Sequence, residues 1–504
     1  MITRRQTALA APLLLFPSIA RGARWFSRYP FSLGVASGDP APDGFVIWTR
    51  LAPEPFAPHG GMPLSALPVS WEVGEDAAFR TIASRGEAIA RPELGHSVHV
   101  EVTGLQPDRG YWYRFKLDAD ESLTGKARTL PPAGASLARL RFGVCGCQHY
   151  ESGLYTAFRH LAQEEELAFV FHYGDFIYER GADVVFDSNG LPTPKVRNHN
   201  LREVYSLDDY RAHYAQYLLD LDLQSARMRH AFLSSFDDHE VQNNFTGNIS
   251  EDESIPPEVF LLRRQAAMQA WYEHMPVRRA QLPAGPSIQA NRRFDFGNLA
   301  TINVLDTRSF RTNQPCGDGL KPACPDVFGS DVQVLGAEQE AWLDRQLATS
   351  DATWNCLAQQ ILAMAIDFGD TGGGDRRYMD SWAGYEEPRK RLMRRLREAG
   401  NAVMLTGDVH QNAAGLLYDE DRPAGVECVV TSISSTGSDW SQLRGLNPHV
   451  KFVNSQRGYA VCDVSPDAWQ THYMVVDDVT KPGGNLSRAA TVSVPRDRVE
   501  IALG

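Results

Sequence analysis

"FVFHYGDFIYER", residues 169–180, is an apolar run that stops at Gly174-Asp175 and continues to Tyr178. It reads as a β-strand giving way to a polar loop. The same grammar recurs twice. "FLSSFDDHEVQNN" (232–244) ends on Asp237, Asp238, His239 and Glu240, with Asn243 beyond; "AVMLTGDVHQN" (402–412) ends on Asp408 and His410. A fourth run, "LARLRFGVCGC" (137–147), alternates Leu140, Phe142 and Val144 and then delivers Cys147 into the loop "GCQHYESG". A single Asp after a strand is commonly a turn residue or helix cap. Four strand ends that carry carboxylate, imidazole, phenol and thiol groups together form a set of metal donors. Active-site residues gather at such strand ends in α/β sheets.

Around these strands, helical stretches at 154–166, 208–228, 335–348 and 386–399 alternate with further strands such as "LATINVLD" (299–306). The pattern from residue 138 onward predicts a sheet with helices packed on it. Residues 30–133 differ. "FVIWTRL", "LPVSWEVG", "HSVHVEVTGL" and "GYWYRFKLD" are short aromatic and β-branched runs, which predicts an all-β unit. "LQPDRGYWYRF" places Leu105, Pro107 and Tyr111 as at the tyrosine corner of an immunoglobulin/fibronectin-like sandwich. "RTLPPAGASLA" (128–138) reads as the linker.

The first twenty residues read as an export signal. Arg4 and Arg5 precede an apolar stretch from Ala8 to Leu15, with Ser18 and Ala20 before a cleavage point. The paired arginines favour the Tat route, hence the Tat machinery as a partner and a periplasmic or secreted destination. No run is long enough to span a membrane comfortably. The net charge of −12 over 504 residues argues against a broad nucleic-acid surface.

Seven cysteines leave at least one without an intrachain partner. Cys145 and Cys147 are i and i+2 on a strand, about 6.5–7 Å apart, a poor distance for a bridge. Cys316 and Cys324 flank the Gly/Pro-rich "CGDGLKPAC" and are the better pair. Cys356, Cys428 and Cys462 read as buried thiols.

Two adjacent cations can clamp a phosphoryl oxygen and activate a water for in-line attack, with a non-ligating acid near the leaving oxygen. The motifs "GDFIY", "DDHE" and "GDVH" resemble those of calcineurin-like metallophosphoesterases and of purple acid phosphatases. More specifically, the chain resembles the PhoD-type alkaline phosphatase/phosphodiesterase family. The likeness runs through "GVASGDPAPDGFVIWTRLAP" (34–53), "LDTRSFRTNQPCGDG" (305–319), "LGAEQEAWLDRQL" (335–347) and "SQRGYAVCDVSPDAWQTHY" (455–473). The resemblance implies a metallophosphoesterase-like layered β-sheet/helix domain over residues 138–485, preceded by the sandwich. It also implies a ferric ion (Fe3+) and a calcium ion (Ca2+) as cofactors.

Carried over by position, Cys147, Tyr178 and His410 would bind iron, and Asp175 would bridge the metals. Asp408 would face the second metal, and Asp238 would take the place of the metal-binding Asn of the wider superfamily. His239 would be the non-ligating catalytic histidine, and Asn243 would lie at the calcium side or the phosphate pocket. Cys145 is then a packed neighbour of the ligand thiolate. Gly146 stands where the family usually has Ser, and Ala383 of "WAGY" (382–385) where it has Asp. Arg308 and Arg311 either meet a phosphate or pair with Asp306 or surface acids. His149, His172, His199 and His213 read as solvated or structurally hydrogen-bonded, and Ser434 and Ser435 as loop residues without a G-x-S-x-G elbow. The implied function is hydrolysis of small phosphate esters, as a phosphomonoesterase, a phosphodiesterase or both, including a phospholipase D-type diesterase. An exported binding protein built on the sandwich would leave the three motifs unexplained.

Overall fold

The computed structural model describes residues 26, 28–182, 184–186, 191–369 and 375–504. The export signal predicted for residues 1–20 lies outside them. No described helix is long and apolar enough to cross a membrane.

Two large mixed sheets face each other. In the ten-stranded sheet, Leu140–Cys145, Val170–His172 and Ala231–Ser234 run parallel side by side, with Phe171 opposite both Val144 and Leu233. In the seven-stranded sheet, Ala300–Val304, Trp354–Ala358, Ala402–Thr406 and Arg422–Val429 are also parallel neighbours. Successive side chains on a strand point to opposite faces. Phe142, Val144, Phe171 and Leu233 therefore meet Ile302, Cys356, Val403, Leu405 and Cys428 between the sheets. Their neighbours Val170 and Phe232 turn outward onto Tyr210, Tyr214 and Trp271 of the flanking helices. On the other side Leu357 and Met404 meet Leu343, Leu392 and Leu396. Both faces of the strands are thus largely buried, and their sequences are mostly apolar.

The helix expected over 208–228 is two helices, Leu207–Leu218 and Leu221–Arg229. Asp220 caps the second, its carboxylate accepting from the N–H groups of Asp222 at 3.0 Å and Leu223 at 3.2 Å. The helix expected at 154–166 shortens to Thr156–Leu161, whereas 336–348 and 386–399 are helical as expected. Pro257–His274 forms a helix that the sequence reading passed over.

The N-terminal strands build a sandwich. Phe45, Ile47, Val98 and Val100 of one sheet pack against Val69, Val73, Tyr113 and Phe115 of a five-stranded sheet. The Tyr111 hydroxyl accepts from the Gln106 N–H at 3.0 Å, the contact expected of a tyrosine corner. Val35–Ala41 also pairs parallel with Ala231–Ser234, so three N-terminal strands complete the ten-stranded sheet. Cys316 and Cys324 form a disulfide with Cα atoms 5.8 Å apart. The other five cysteines are buried and free.

Candidate metal centre

The parallel strands of both sheets end on the same side, and their loops converge there. Cys147 follows Leu140–Cys145, Asp175 and Tyr178 follow Val170–His172, Asp238 and His239 follow Ala231–Ser234, and Asp408 and His410 follow Ala402–Thr406. Cys147, Asp175, Asp408 and His410 all have φ between 51° and 62°, the left-handed region that non-glycine residues seldom occupy. Such conformations persist where the surrounding structure enforces them, and they cluster at functional sites. Gly174 permits a close approach: a Cβ there would lie 2.4 Å from the Asp237 backbone N.

The convergence is tight. The Tyr178 hydroxyl lies 2.9 Å from Asp175 Oδ2 and 2.9 Å from His410 Nε2. Cys147 Sγ lies 3.3 Å from the same Asp175 oxygen. His410 Nδ1 is 2.8 Å from the Thr436 carbonyl, which can only accept, so Nδ1 carries the proton and Nε2 presents a lone pair. Around Asp175 and Asp238 the donor atoms form three trios, each within 4.8 Å: Cys147–Asp175–His410, Asp175–Asp238–His239 and Asp237–Asp238–Asp408. Asp175 belongs to the first two and Asp238 to the last two.

These residues fit bound cations. Asp175 Oδ1, Asp237 Oδ2, Asp238 Oδ1 and Asp408 Oδ2 are buried without a hydrogen-bond partner. A buried, unpaired carboxylate oxygen is costly. Burial, with neighbouring carboxylates, pushes Asp175 and Asp408 well above the usual carboxyl range. Burial likewise raises the Cys147 thiol, with Asp175, Asp237 and Asp408 adding to it, and raises the Tyr178 phenol. A cation inverts each of these effects. Thiolate, phenolate and imidazole suit a transition metal, and the carboxylates on the Asp238–Asp408 side suit a harder ion.

His239 stands apart in its partners. Its Nδ1 is 2.7 Å from Glu179 Oε2, its Nε2 is 3.9 Å from Asp238 Oδ2, and its ring lies over Tyr178 with centroids 4.0 Å apart. Burial alone would lower its pKa, but Asp238, Glu179 and Asp175 outweigh burial and hold it well above the ordinary value. A cavity of about 370 Å³ opens onto the centre. Asp175, Asp238, His239, Asn243, Asp408 and His410 form part of its wall, as do Leu362, Phe368 and Trp440. Asn243 donates to Glu251 Oε1 at 2.7 Å, while Asn244 beside it also lines the cavity.

Several residues act here without having been singled out for it. Glu240 accepts from the N–H groups of Asp175 (2.9 Å), Phe176 (2.6 Å) and Asp237 (2.8 Å), tying two ligand loops together. Arg308 is fully buried; it donates to Asp237 at 2.5 Å and Asp380 at 2.7 Å and lies 3.5 Å from Asp238 and 3.6 Å from Asp408. Arg311 pairs with Asp380 at 3.0 Å. The partners of both arginines are therefore buried acids around the centre, not surface acids. The Asp306 carboxylate accepts from the backbone N–H groups of Arg308 and Ser309. His149, His172, His199 and His213 are hydrogen-bonded to Ser152, Gln148, Tyr217 and the Tyr178 carbonyl. Gly146 and Gly407 leave room for the Tyr173 ring, since a Cβ at either would meet it at 2.2 Å. Ala383 is buried in a short turn of helix and is not among the described residues lining the cavity.

Two facing sheets with a cluster of metal donors at their strand ends define the architecture of a metallophosphoesterase. The chain belongs to the PhoD-like phosphatase family, whose family model matches residues 142–473, with a model for the PhoD-like phosphatase N-terminal domain matching 18–131. It is 45% identical over 487 residues to alkaline phosphatase D of Bacillus subtilis (strain 168), covering 94% of this chain and 82% of the relative. The solved structure of PhoD superposes with a TM-score of 0.91 at 44% identity, covering 95% of this chain and 93% of that one. A purple acid phosphatase from yellow lupin seeds (Lupinus luteus) shares the fold, with a TM-score of 0.57 at 12% identity, covering 92% of this chain and 74% of that one.

Proposed function

We infer that this phosphoric ester hydrolase is an exported alkaline phosphatase whose chemistry depends on Fe3+ and Ca2+. The observation that carries the reading is the convergence of Cys147 Sγ, the Tyr178 hydroxyl and His410 Nε2 around one oxygen of Asp175. Cys147, Asp175, Tyr178 and His410 would hold the iron, with Asp175 shared and Asp238 and Asp408 completing the calcium side. When bound, the metals supply Lewis-acid activation of the phosphoryl group and of a water. The chain's own contribution is positional and acid–base. Glu240 and Arg308 fix the ligand loops. His239, held by Glu179 at 2.7 Å, stands on the cavity wall as the proton donor to the leaving oxygen. Asn243, on the same wall, would meet the phosphate or the calcium.

The apolar wall of Leu362, Phe368 and Trp440 gives room for the second alcohol of a diester, which favours phosphodiesterase activity, including the phospholipase D type, beside monoesterase activity. The reading also takes residues 30–133 as an immunoglobulin/fibronectin-like domain and 138–485 as the catalytic domain, supported by the Tyr111 contact. Residues 1–20 serve as a Tat signal in it.

The test is metal analysis of protein purified without added metal, together with rates on para-nitrophenyl phosphate and its bis ester. Iron and calcium with hydrolysis of either ester support the reading; protein that hydrolyses both esters without iron contradicts it.

A further inference from the structure

We propose that Ser435 is a positioning residue that donates a hydrogen bond to the Tyr178 oxygen when that oxygen binds iron, and thereby sets the electronic character of the ferric phenolate. The proposal rests on the iron reading above and adds to it a residue outside the ligand set.

Ser435 is buried at 2% exposure in the loop "TSISSTG" (431–437), which follows the strand Arg422–Val429 of the second sheet. Its Oγ lies 2.7 Å from the Tyr178 hydroxyl oxygen and 2.8 Å from the Cys147 carbonyl, and it accepts from the His149 N–H at 3.0 Å. One hydroxyl therefore touches both chain segments that bring the thiol and the phenol to the centre.

The proton inventory gives Ser435 its role. The described hydrogen-bond partners of the Tyr178 oxygen are Asp175 Oδ2, His410 Nε2 and Ser435 Oγ. A carboxylate accepts. His410 carries its proton on Nδ1, toward Thr436, so its Nε2 accepts as well. While Tyr178 keeps its own proton, it can donate to either acceptor, and the Ser435 proton is free to satisfy the Cys147 carbonyl. Binding a metal displaces the phenol proton. The oxygen then becomes an acceptor, and Ser435 is the one donor among these partners. Its hydroxyl rotates from the carbonyl to the phenolate, with the His149 N–H holding its oxygen in place. Outer hydrogen bonds of this kind tune a bound metal without ligating it. A donor on a phenolate withdraws electron density, which raises the energy of charge transfer to ferric iron and eases reduction of the iron.

The adjacent Ser434 supplies an internal control. It is equally buried in the same loop, but its Oγ donates to the His149 carbonyl at 2.9 Å. Among the described hydrogen bonds, that hydroxyl makes none to Tyr178.

The experiment compares iron-loaded full-length wild type, Ser435→Ala and Ser434→Ala by visible absorption and by reductive titration of the iron. Ser435→Ala is expected to move the charge-transfer band to longer wavelength and make the iron harder to reduce, while Ser434→Ala leaves both unmoved. Ser435→Thr, which keeps the hydroxyl, should restore the wild-type band. An unmoved band in Ser435→Ala, or an equal shift in both alanine variants, overturns the proposal while the iron reading stands. Iron-loaded wild type with no charge-transfer band at all overturns the iron reading and this proposal with it. If Ser435→Ala does not fold, wild type alone decides. Tyrosinate vibrations excited within the band should shift on transfer to D2O, and an absence of shift overturns the hydrogen bond.

Discussion

The Tyr178 hydroxyl and His410 Nε2 lie 2.9 Å apart although 232 residues separate them in the chain. Each follows a strand of a different sheet, so their meeting measures how the two sheets are docked. Metal–ligand bonds of about 2.0–2.3 Å put neighbouring donor atoms roughly 3 Å apart. The spacing of Tyr178, His410, Asp175 and Cys147 is compatible with donors to one ion.

Glu240 should matter as much as a ligand without being one. Gln at this position keeps one carbonyl oxygen for three N–H donors and turns an amide toward the rest. Glu240→Gln is expected to weaken metal binding or activity about 10- to 100-fold, the usual scale for groups that orient ligands. Metal titration followed by rate measurement checks this; unchanged metal affinity and rate would remove Glu240 from the scaffold of the centre.

His239→Ala should retain its metals and lose about 10²–10⁴-fold in activity on an alkyl phosphate, with a smaller loss on para-nitrophenyl phosphate. The alkoxide needs the proton and para-nitrophenolate does not. Metal loss in the variant would make His239 a ligand. Equal losses on both esters, with metals kept, would assign it to phosphate positioning.

Stability should fall as pH drops below about 6.5, for a reason remote from the metals. His230 is buried, with Nε2 3.1 Å from the Leu161 carbonyl, and burial lowers its pKa to about 4. Its folded value is depressed, so between about 6.5 and 4 the unfolded chain binds the proton more readily. Stability rises with pH across that window, and acidification to pH 4 costs about 3 kcal/mol from this group. Urea unfolding at pH 7 and pH 4.5 should show a smaller difference in His230→Gln than in wild type; an identical difference would place the acid sensitivity elsewhere.

Much of this was legible in the sequence because the informative residues are local. An apolar strand ended by Gly-Asp or Asp-Asp-His carries its own boundary, and four such ends implied one side of one sheet assembly. What escaped was set by distant partners. Glu240 stands in a recognised motif, yet its partners at Asp175 and Phe176 lie 65 and 64 residues away. Arg308 finds Asp237 and Asp380 across 71 and 72 residues, so pairing with a buried acid looked no different from pairing at the surface. The helix Pro257–His274 buries Arg263, Arg264, Glu273 and His274, and those polar residues erase the apolar periodicity that marks an amphipathic helix. The pairing of Ser37 with Ala231, which joins the N-terminal strands to the main sheet, leaves no local mark at all.

Tyr178 as an iron ligand is tested by the visible spectrum of iron-loaded wild type beside Tyr178→Phe, each with its iron content determined. A charge-transfer band is expected in the wild type and should be lost or strongly shifted in the variant while iron remains bound through Cys147, Asp175 and His410. A variant that holds iron and shows the wild-type band unchanged would contradict this assignment.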